Sequence, residues 1–302
     1  MKRNRLGLAF GGGAGKGVVH LGVIKSLEEE GIKPDVVTGT SIGALIGSIY
    51  SYGYDFSEIE RRAREIIKTD EFKQLGFEFF ADHRKEHFLE RLNSYLKERL
   101  TYAKMAVTPF ITKRETLKKV VDKLVPDVNI EDLPIPFASV TLDIVSGKDV
   151  FITRGSLRDA VLKSISIAGI FPVWKGDGKI IVDGGPTSNV PVEACLSLGA
   201  DSVIAVSLSN RLSPNFNTKS ALSINFRIDE IAKYRLNRIQ IEKADVLIEP
   251  AVESIHWADF TKIDYGIKAG YETTREKLPE IKKLIKRPLS SRLKRIFLKK
   301  PF

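Results

Sequence analysis

The chain has 302 residues, of which 43% are hydrophobic and 28% are charged, and its 48 Lys and Arg outnumber its 38 Asp and Glu. This length supports one large α/β core, and no Pro/Gly/Ser-rich linker divides it, so we expect a single domain. The only cysteine, Cys195, excludes an intramolecular disulfide and favours a reducing compartment, and the lack of an apolar run of about 18 residues excludes a predicted membrane-spanning helix.

A glycine loop follows the first predicted strand, residues 6–10 (LGLAF). The loop reads GGGAGKG and leads into a helix predicted over residues 16–30. Glycines before a helix N-terminus let several backbone N–H groups point at one place, where an anion is stabilised. Such loops bind phosphate in nucleotide folds, or stabilise the oxyanion that forms when a serine attacks an acyl carbon.

The spacing of this loop argues against a nucleotide site. A P-loop needs a glycine five residues before its Gly-Lys pair and a Ser or Thr after it, but Phe10 and Gly17 stand there. The dinucleotide fingerprint also fails, because Lys16 or Ala14 falls where a glycine is needed. An oxyanion site is therefore the favoured interpretation.

The stretch VVTGTSIGA at residues 36–44 predicts a buried strand, a sharp turn and a helix over residues 42–51. Gly39 and Gly43 flank Ser41, and without a Cβ they let the backbone bend tightly around it. This is the pattern of a nucleophile elbow, in which the serine hydroxyl stands above the strand end. The pattern alone is weak, because it also occurs in ordinary loops.

Strand signals are absent between residues 55 and 125, where charged, helical sequence predicts a helical cap inserted into the domain. Two interpretations remain open for an aromatic cluster around Gly76: the core of this cap, or an apolar acyl-chain pocket or lid beside Ser41. The cluster comprises Phe72, Phe77, Phe79 and Phe80. His83 and His87 in the same region lack the glutamate of H-E-x-x-H, so we predict no metal site.

Strands and helices alternate through the rest of the chain, which predicts a mainly parallel sheet with helices on both faces. One strand ends in Asp183, followed by Gly184 and Gly185. An acid at a strand end is a catalytic position in open α/β sheets, although an Asp-Gly pair commonly only caps a turn. The strands are predicted over residues 137–142, 149–153, 180–183, 202–207 and 245–248, and the helices over 157–167 and 224–242.

In this order the motifs resemble those of the patatin-like phospholipase family, in its bacterial branch. The chain has the glycine loop with a basic residue, then H-L-G-V, then G-T-S-I-G-A, then D-G-G followed by Asn189 and Pro191. Residues 137–174 are similar to the stretch before the family's aspartate, so the resemblance covers most of residues 5–205. One departure is Lys16, where the family commonly has arginine; the charge is kept but the planar guanidinium is lost.

The resemblance implies a three-layer α/β fold and a serine hydrolase of the phospholipase A type that needs no cofactor or metal. Its substrate is an acyl lipid or ester, Ser41 is the nucleophile and Asp183 accepts its proton. The implied oxyanion hole consists of the N–H groups of Gly11, Gly12, Gly13 and Ile42, and the implied supporting residues are Lys16, Gly39, Gly43, Gly184 and Gly185. Because an ordinary aspartate pKa of about 3.9 suits a base poorly at neutral pH, such a dyad depends on position and a dry site.

Two alternatives stay open. His256 follows Ser41 and Asp183 in the order of a Ser-Asp-His hydrolase, but its neighbour Trp257 favours a packing role. His20, in the H-L-G-V motif, is interpreted as a packing or hydrogen-bonding residue. The second alternative is a catalytically quiet adaptor of the same fold that binds a partner or a membrane, and the intact Ser41 and Asp183 argue against it.

Most of the net charge of +10 lies at the C-terminus. Residues 281–302 contain nine Lys and Arg and no acid, which leaves 39 basic and 38 acidic side chains in residues 1–280. Apolar residues at helical spacing among these charges predict a basic amphipathic tail on an anionic membrane; a solvated tail, a docked helix or nucleic-acid binding are the alternatives. We expect a catalytic domain over 1–280 that includes the cap at 55–125, a tail over 281–302, no nucleic-acid partner, and a cytoplasmic protein that contacts the inner face of the membrane.

Overall fold

The computed structural model describes residues 4–77, 110–209, 212, 216, 218 and 220–286 of the chain. In this part of the chain, eight strands form one sheet in the order β5-β6-β3-β2-β1-β7-β8, with β4 also paired to β3. The strands are β1 (Leu6–Phe10), β2 (Val36–Thr40), β3 (Phe137–Asp143), β4 (Lys148–Ile152), β5 (Trp174–Gly176), β6 (Lys179–Asp183), β7 (Ser202–Val206) and β8 (Val246–Ile248).

The centre and one end of the sheet are parallel: β1 pairs in parallel with β2 and β7, β2 with β3, and β7 with β8. The other end is antiparallel, where β3 pairs with β4 and β6, and β6 pairs with β5. The mainly parallel α/β sheet expected from the sequence is confirmed.

Helices cover both faces of the sheet. Because side chains alternate along each strand, a single strand contributes residues to a core on each face. Leu8 and Phe10 belong to the larger core, on the side of α1 and α2, whereas Ala9 belongs to a second core on the side of α7. The helices of the described residues are α1 (Val19–Glu29), α2 (Ile42–Ser51), α3 (Phe56–Ile66), α4 (Asp70–Lys73), α5 (Arg114–Leu124), α6 (Leu157–Ser164), α7 (Val192–Ser197), α8 (Ala221–Ile241) and α9 (Ile263–Ile285).

Most predicted elements agree with these bounds. The helix expected over residues 16–30 starts as a 3-10 turn, Ala14–Val18, before α1 begins at Val19. The helix expected over residues 157–167 ends at Ser164, three residues early. The short strand β5 was missed because only three residues form it.

The predicted cap lies partly outside the described residues. Within residues 55–125, the described part consists of α3, α4 and α5 and contains no strand. Residues 78–109, with Phe79, Phe80, His83 and His87, are outside the described part. The division into a cap and a catalytic domain therefore stays a prediction.

The predicted tail begins inside a helix of the folded domain. Ile281 and Leu284 of α9 are buried, at 0% and 3% exposure, and the Asn4 side chain donates a hydrogen bond to the Leu284 carbonyl. The boundary expected after residue 280 therefore falls within α9, because the apolar face of this helix continues to pack. Residues 287–302 lie outside the described part. Among the described residues, no helix is both long and apolar enough to cross a membrane.

Candidate active site

Ser41 occupies a sharp turn between β2 and α2. Its backbone has φ 55° and ψ −125°, a conformation that non-glycine residues rarely adopt and that costs on the order of 1–3 kcal/mol. The flanking glycines make the turn possible, because a Cβ on Gly39 would lie 2.2 Å from the Gly43 carbonyl oxygen, and one on Gly43 would lie 2.2 Å from that of Phe10. The turn has the geometry of the predicted nucleophile elbow.

A buried serine that sequence reasoning missed holds this turn. The Ser41 N–H donates a 2.9 Å hydrogen bond to the Ser164 hydroxyl, and the same hydroxyl donates to the Val140 carbonyl at 2.7 Å. Ser164 is the last residue of α6, 123 positions from Ser41. Nothing local in the sequence distinguishes it from an ordinary serine at the end of a helix.

Asp183 is the last residue of β6 and is 6% exposed. Its carboxylate accepts a hydrogen bond from the Gly185 N–H at 2.7 Å. Burial raises the pKa of Asp183 to about 6, while the nearby Ser41 hydroxyl and the Gly185 N–H act in the opposite direction. A carboxyl with this pKa is closer to the range of a general base at neutral pH than an ordinary aspartate.

The pairing of β3 explains why Ser41 and Asp183 meet. β4 pairs with residues 139–143 along one edge of β3, while β2 pairs with residues 137–140 and β6 with residues 141–143. A strand has only two edges, so β2 and β6 share the other edge and meet end to end. Thr40 pairs with Val140 and Asp183 with Thr141, so the two strands deliver their last residues to adjacent positions.

The glycine loop lies next to the nucleophile, since a Cβ on Gly12 would lie 3.3 Å from Ser41 Cβ. Two of its predicted oxyanion donors already have acceptors: the Gly11 N–H donates to the Val206 carbonyl and the Gly12 N–H to the Asn189 carbonyl, both at 3.0 Å. The prediction that both bind the oxyanion disagrees with this geometry, because the Gly11 N–H continues the hydrogen bonding of β1 with β7 and the Gly12 N–H binds the loop that precedes α7. The backbone N–H groups of Gly13 and Ile42 have no backbone carbonyl as acceptor among the described residues.

Lys16 and His20 are buried behind this loop. Lys16 is 6% exposed, and burial lowers its pKa to about 8, against a raising effect of the Glu253 charge. His20 is fully buried, its Nε2 lies 2.8 Å from the Gly11 carbonyl oxygen, and burial lowers its pKa to about 4. A neutral imidazole thus donates to the glycine loop and packs on Phe10, with ring centroids 4.7 Å apart.

His256 lies in the loop that follows β8, and its Nδ1 accepts the N–H of Ala258 at 3.2 Å. Its ring packs beside Trp257, and it lines neither of the two cavities that reach Ser41. Among the described residues, Asp183 lines one of these cavities together with Ser41, and His256 does not. Among these residues, no group of His, Cys, Asp and Glu is arranged to hold a metal ion.

An apolar cavity of about 110 Å³ opens at Ser41. Every other residue that lines it is apolar, and α2, α3 and α5 form much of its wall. Phe72 and Phe77 of the predicted aromatic cluster are part of this lining and also contact each other. For these two residues the two interpretations, a packed core and an apolar pocket beside Ser41, therefore hold together. Their side chains pack against each other and also form part of the cavity wall.

A larger cavity of about 530 Å³ lies on another side of Ser41. Polar as well as apolar residues line it, and it is named the polar cavity. Its lining includes Lys16, Ser41 and Asp183, together with Lys233, Tyr234 and Asn237 from α8. Asn237 is 4% exposed, its amide nitrogen donates to Ser209 at 2.8 Å, and its Oδ1 has no partner among the described residues. Ser41 thus stands where an apolar and a polar space meet.

Comparison with known proteins gives a match to the sequence model of a family described as patatin-like phospholipase, over residues 8–196. The chain is 33% identical over 210 residues to neuropathy target esterase sws of Drosophila melanogaster, covering 69% of this chain and 13% of that protein. It is 34% identical over 207 residues to lysophospholipase NTE1 of Mycosarcoma maydis, covering 68% of this chain and 10% of that protein.

The chain thus spans a small part of the length of these two relatives. Among solved structures, VipD from Legionella pneumophila matches with a TM-score of 0.47 and 15% identity, covering 96% of this chain and 67% of that one.

Proposed function

The chain belongs to the patatin-like phospholipase family, and from that premise we propose that it is a carboxylic ester hydrolase that cleaves lipid acyl esters with a Ser41–Asp183 dyad. The observation that carries the proposal is the placement of the buried Asp183 carboxylate beside Ser41 at the elbow, where the two strand ends meet on β3 and both residues line one cavity. The names of the relatives, an esterase and a lysophospholipase, support the same class of reaction.

The two cavities suggest how the substrate is divided. An acyl chain fits the apolar cavity under α3 and α5, where it is removed from water. The alcohol part then faces the polar cavity, where Lys16, Lys233, Tyr234 and Glu230 suit a polar group. The ester carbonyl lies between the two halves, at Ser41.

In the proposed reaction, Ser41 Oγ attacks the acyl carbon while its proton moves to Asp183. The N–H groups of Gly13 and Ile42 donate to the resulting oxyanion, and the helix dipole of α2 adds to this stabilisation. Collapse of the tetrahedral intermediate transfers the proton from Asp183 to the departing alcohol and leaves an acyl-serine. Asp183 then takes a proton from a water molecule that attacks the acyl-serine, and it returns this proton to Ser41 Oγ as the acyl–oxygen bond breaks and the acid is released.

Labelling by a fluorophosphonate probe tests the proposal, because such probes phosphonylate an activated serine. The parent protein should form one adduct, mapped to Ser41 by mass spectrometry, and Ser41→Ala should form none. Ser48→Ala is a matched control, since Ser48 is also buried in this region but donates to the Leu45 carbonyl within α2. A parent protein that forms no adduct would favour the adaptor alternative.

Peripheral contact with an anionic membrane is a second part of the proposal, for a protein that we expect to be cytoplasmic. It is supported by the nine Lys and Arg of residues 281–302. The first turns of α8 add support, because Ile224, Phe226 and Ile228 there are 42%, 55% and 58% exposed. The same helix lines the polar cavity further along, so a bilayer that contacts these side chains would lie close to the cavity.

A further inference from the structure

The sequence SISI at residues 164–167 contacts both proposed catalytic residues. The Ser164 hydroxyl accepts the Ser41 N–H at 2.9 Å. Two residues later, the Ser166 carbonyl accepts the Asp183 N–H at 3.0 Å. The nucleophile and the acid come from different strands, and one short segment binds the backbone of both.

This segment is itself fixed on α6. The Ser166 hydroxyl donates to the Leu162 carbonyl at 2.6 Å and accepts the Trp174 indole N–H at 3.0 Å. The Ser164 hydroxyl donates a hydrogen bond to the Val140 carbonyl of β3. The lone pairs of the Ser164 oxygen are then available to accept the Ser41 N–H. Both serines are almost fully buried, at 0% and 2% exposure, so water does not replace these bonds.

The isoleucines of the segment have different surroundings from the serines. Ile165 and Ile167 both line the apolar cavity that we assign to the acyl chain, and Ile167 also lines the polar cavity. The polar atoms of the segment therefore hold the proposed dyad, while its alternate side chains face the substrate space.

We propose that residues 164–167 are a positioning segment that couples filling of the acyl cavity to the geometry of Ser41 and Asp183. This inference rests on the proposed function. The strained turn at Ser41 persists only if its surroundings hold it, and the Ser164 hydroxyl is the side chain that binds its N–H. An acyl chain packed against Ile165 and Ile167 restricts movement of the segment, so the chain contributes to the chemical step as well as to binding.

The first test removes the Ser164 hydroxyl. Ser164→Ala leaves the Ser41 N–H buried without an acceptor, so the turn relaxes and the hydroxyl of Ser41 loses its alignment. We expect kcat on a soluble p-nitrophenyl ester and the rate constant of fluorophosphonate inactivation both to fall at least tenfold, with KM within twofold of the parent.

Ser139→Ala is the matched control for this variant. Ser139 is also fully buried and also donates to a backbone carbonyl, that of Ala160 at 2.9 Å. If both variants lose the same activity, Ser164 has only a packing role and the inference is wrong. Parent-like kcat in Ser164→Ala overturns it as well.

The second test addresses the coupling without relying on the folding of Ser164→Ala. In the parent, kcat should rise from a butyrate to an octanoate ester, because the longer chain reaches the isoleucines. Ile165→Ala should remove most of this rise in kcat. A parent protein in which chain length changes KM alone, or an Ile165→Ala variant that keeps the full rise in kcat, would overturn the coupling.

These outcomes are distinguishable from failure of the proposed function. A parent protein that does not react with the probe contradicts the function itself. A reactive parent whose Ser164→Ala variant reacts equally fast contradicts only the positioning role.

Discussion

The burial of Asp183 has a consequence for stability that Asp183→Asn should reveal. Burial raises the pKa of this carboxyl from 3.8 to about 6, so the folded protein holds its proton more tightly than the unfolded chain does. Between these two pKa values the folded state binds more protons, and stability therefore falls as pH rises. Above pH 6 the charged carboxylate costs about 3 kcal/mol, from a shift of about two pKa units.

Replacement by asparagine removes this cost, while the side-chain oxygen still accepts the Gly185 N–H. We expect the variant to unfold at higher denaturant than the parent at pH 8, by up to about 3 kcal/mol, and the gain to shrink to about 1 kcal/mol at pH 4.5. Over the same range its esterase activity should be at least a hundredfold below that of the parent, because the base is gone.

Urea unfolding followed by circular dichroism at both pH values measures the gain, with exposed Asp132→Asn as a control that should show no such trend. The reasoning would be refuted by a stability change that is the same at pH 8 and pH 4.5. The reasoning would also be refuted if the Asp183→Asn variant were less stable than the parent at pH 8. That result would show that the charged Asp183 carboxylate stabilises the fold.

The kcat/KM of a soluble ester should fall about tenfold from pH 7 to pH 5, because Asp183 with a pKa of about 6 becomes protonated. The His256→Ala variant should keep this pH profile. If His256→Ala instead loses all activity while it stays folded, the Ser-His-Asp alternative is restored. Ala63→Phe, which extends a side chain into the apolar cavity, should lower kcat/KM for octanoate esters at least tenfold more than for acetate esters, as measured by hydrolysis rates; an equal loss for both would argue against an acyl cavity. Deletion of residues 289–302 should reduce sedimentation with anionic vesicles and spare hydrolysis of soluble esters; unchanged vesicle binding at low salt would show that the tail is not the membrane contact.

Local patterns in the sequence predicted the parts of the site that depend on a few neighbouring residues. The elbow at Ser41 was predictable because Gly39 and Gly43 are needed within the same turn, and a Cβ on either would meet backbone atoms. Asp183 was predictable because it ends a strand and precedes two glycines. Seven of the eight strands in the described residues followed from apolar runs bounded by turn residues.

Contacts between distant segments were not predictable in this way. Ser164 holds the Ser41 turn from 123 positions away, and its role depends on how α6 packs against β3. The Gly11 and Gly12 N–H groups looked available as oxyanion donors, but their acceptors are the carbonyls of Val206 and Asn189, which are distant in the chain. The pKa of Asp183 likewise depends on burial by the whole fold.

The end-to-end meeting of β2 and β6 on β3 also determines where the chain tolerates changes in length. Side chains of a strand alternate between the two faces of a sheet, so deletion of one residue within β6 would turn Asp183 to the opposite face. Residues 144–178 join β3 to β6 through β4, α6 and β5. Extra residues in the exposed turns of this segment leave the register of β6 on β3 unchanged. The proposed dyad is therefore sensitive to insertions within a five-residue strand and insensitive to them at residues 145–147, which follow the last hydrogen bond from Ile144 to β6 and where Val145 is exposed.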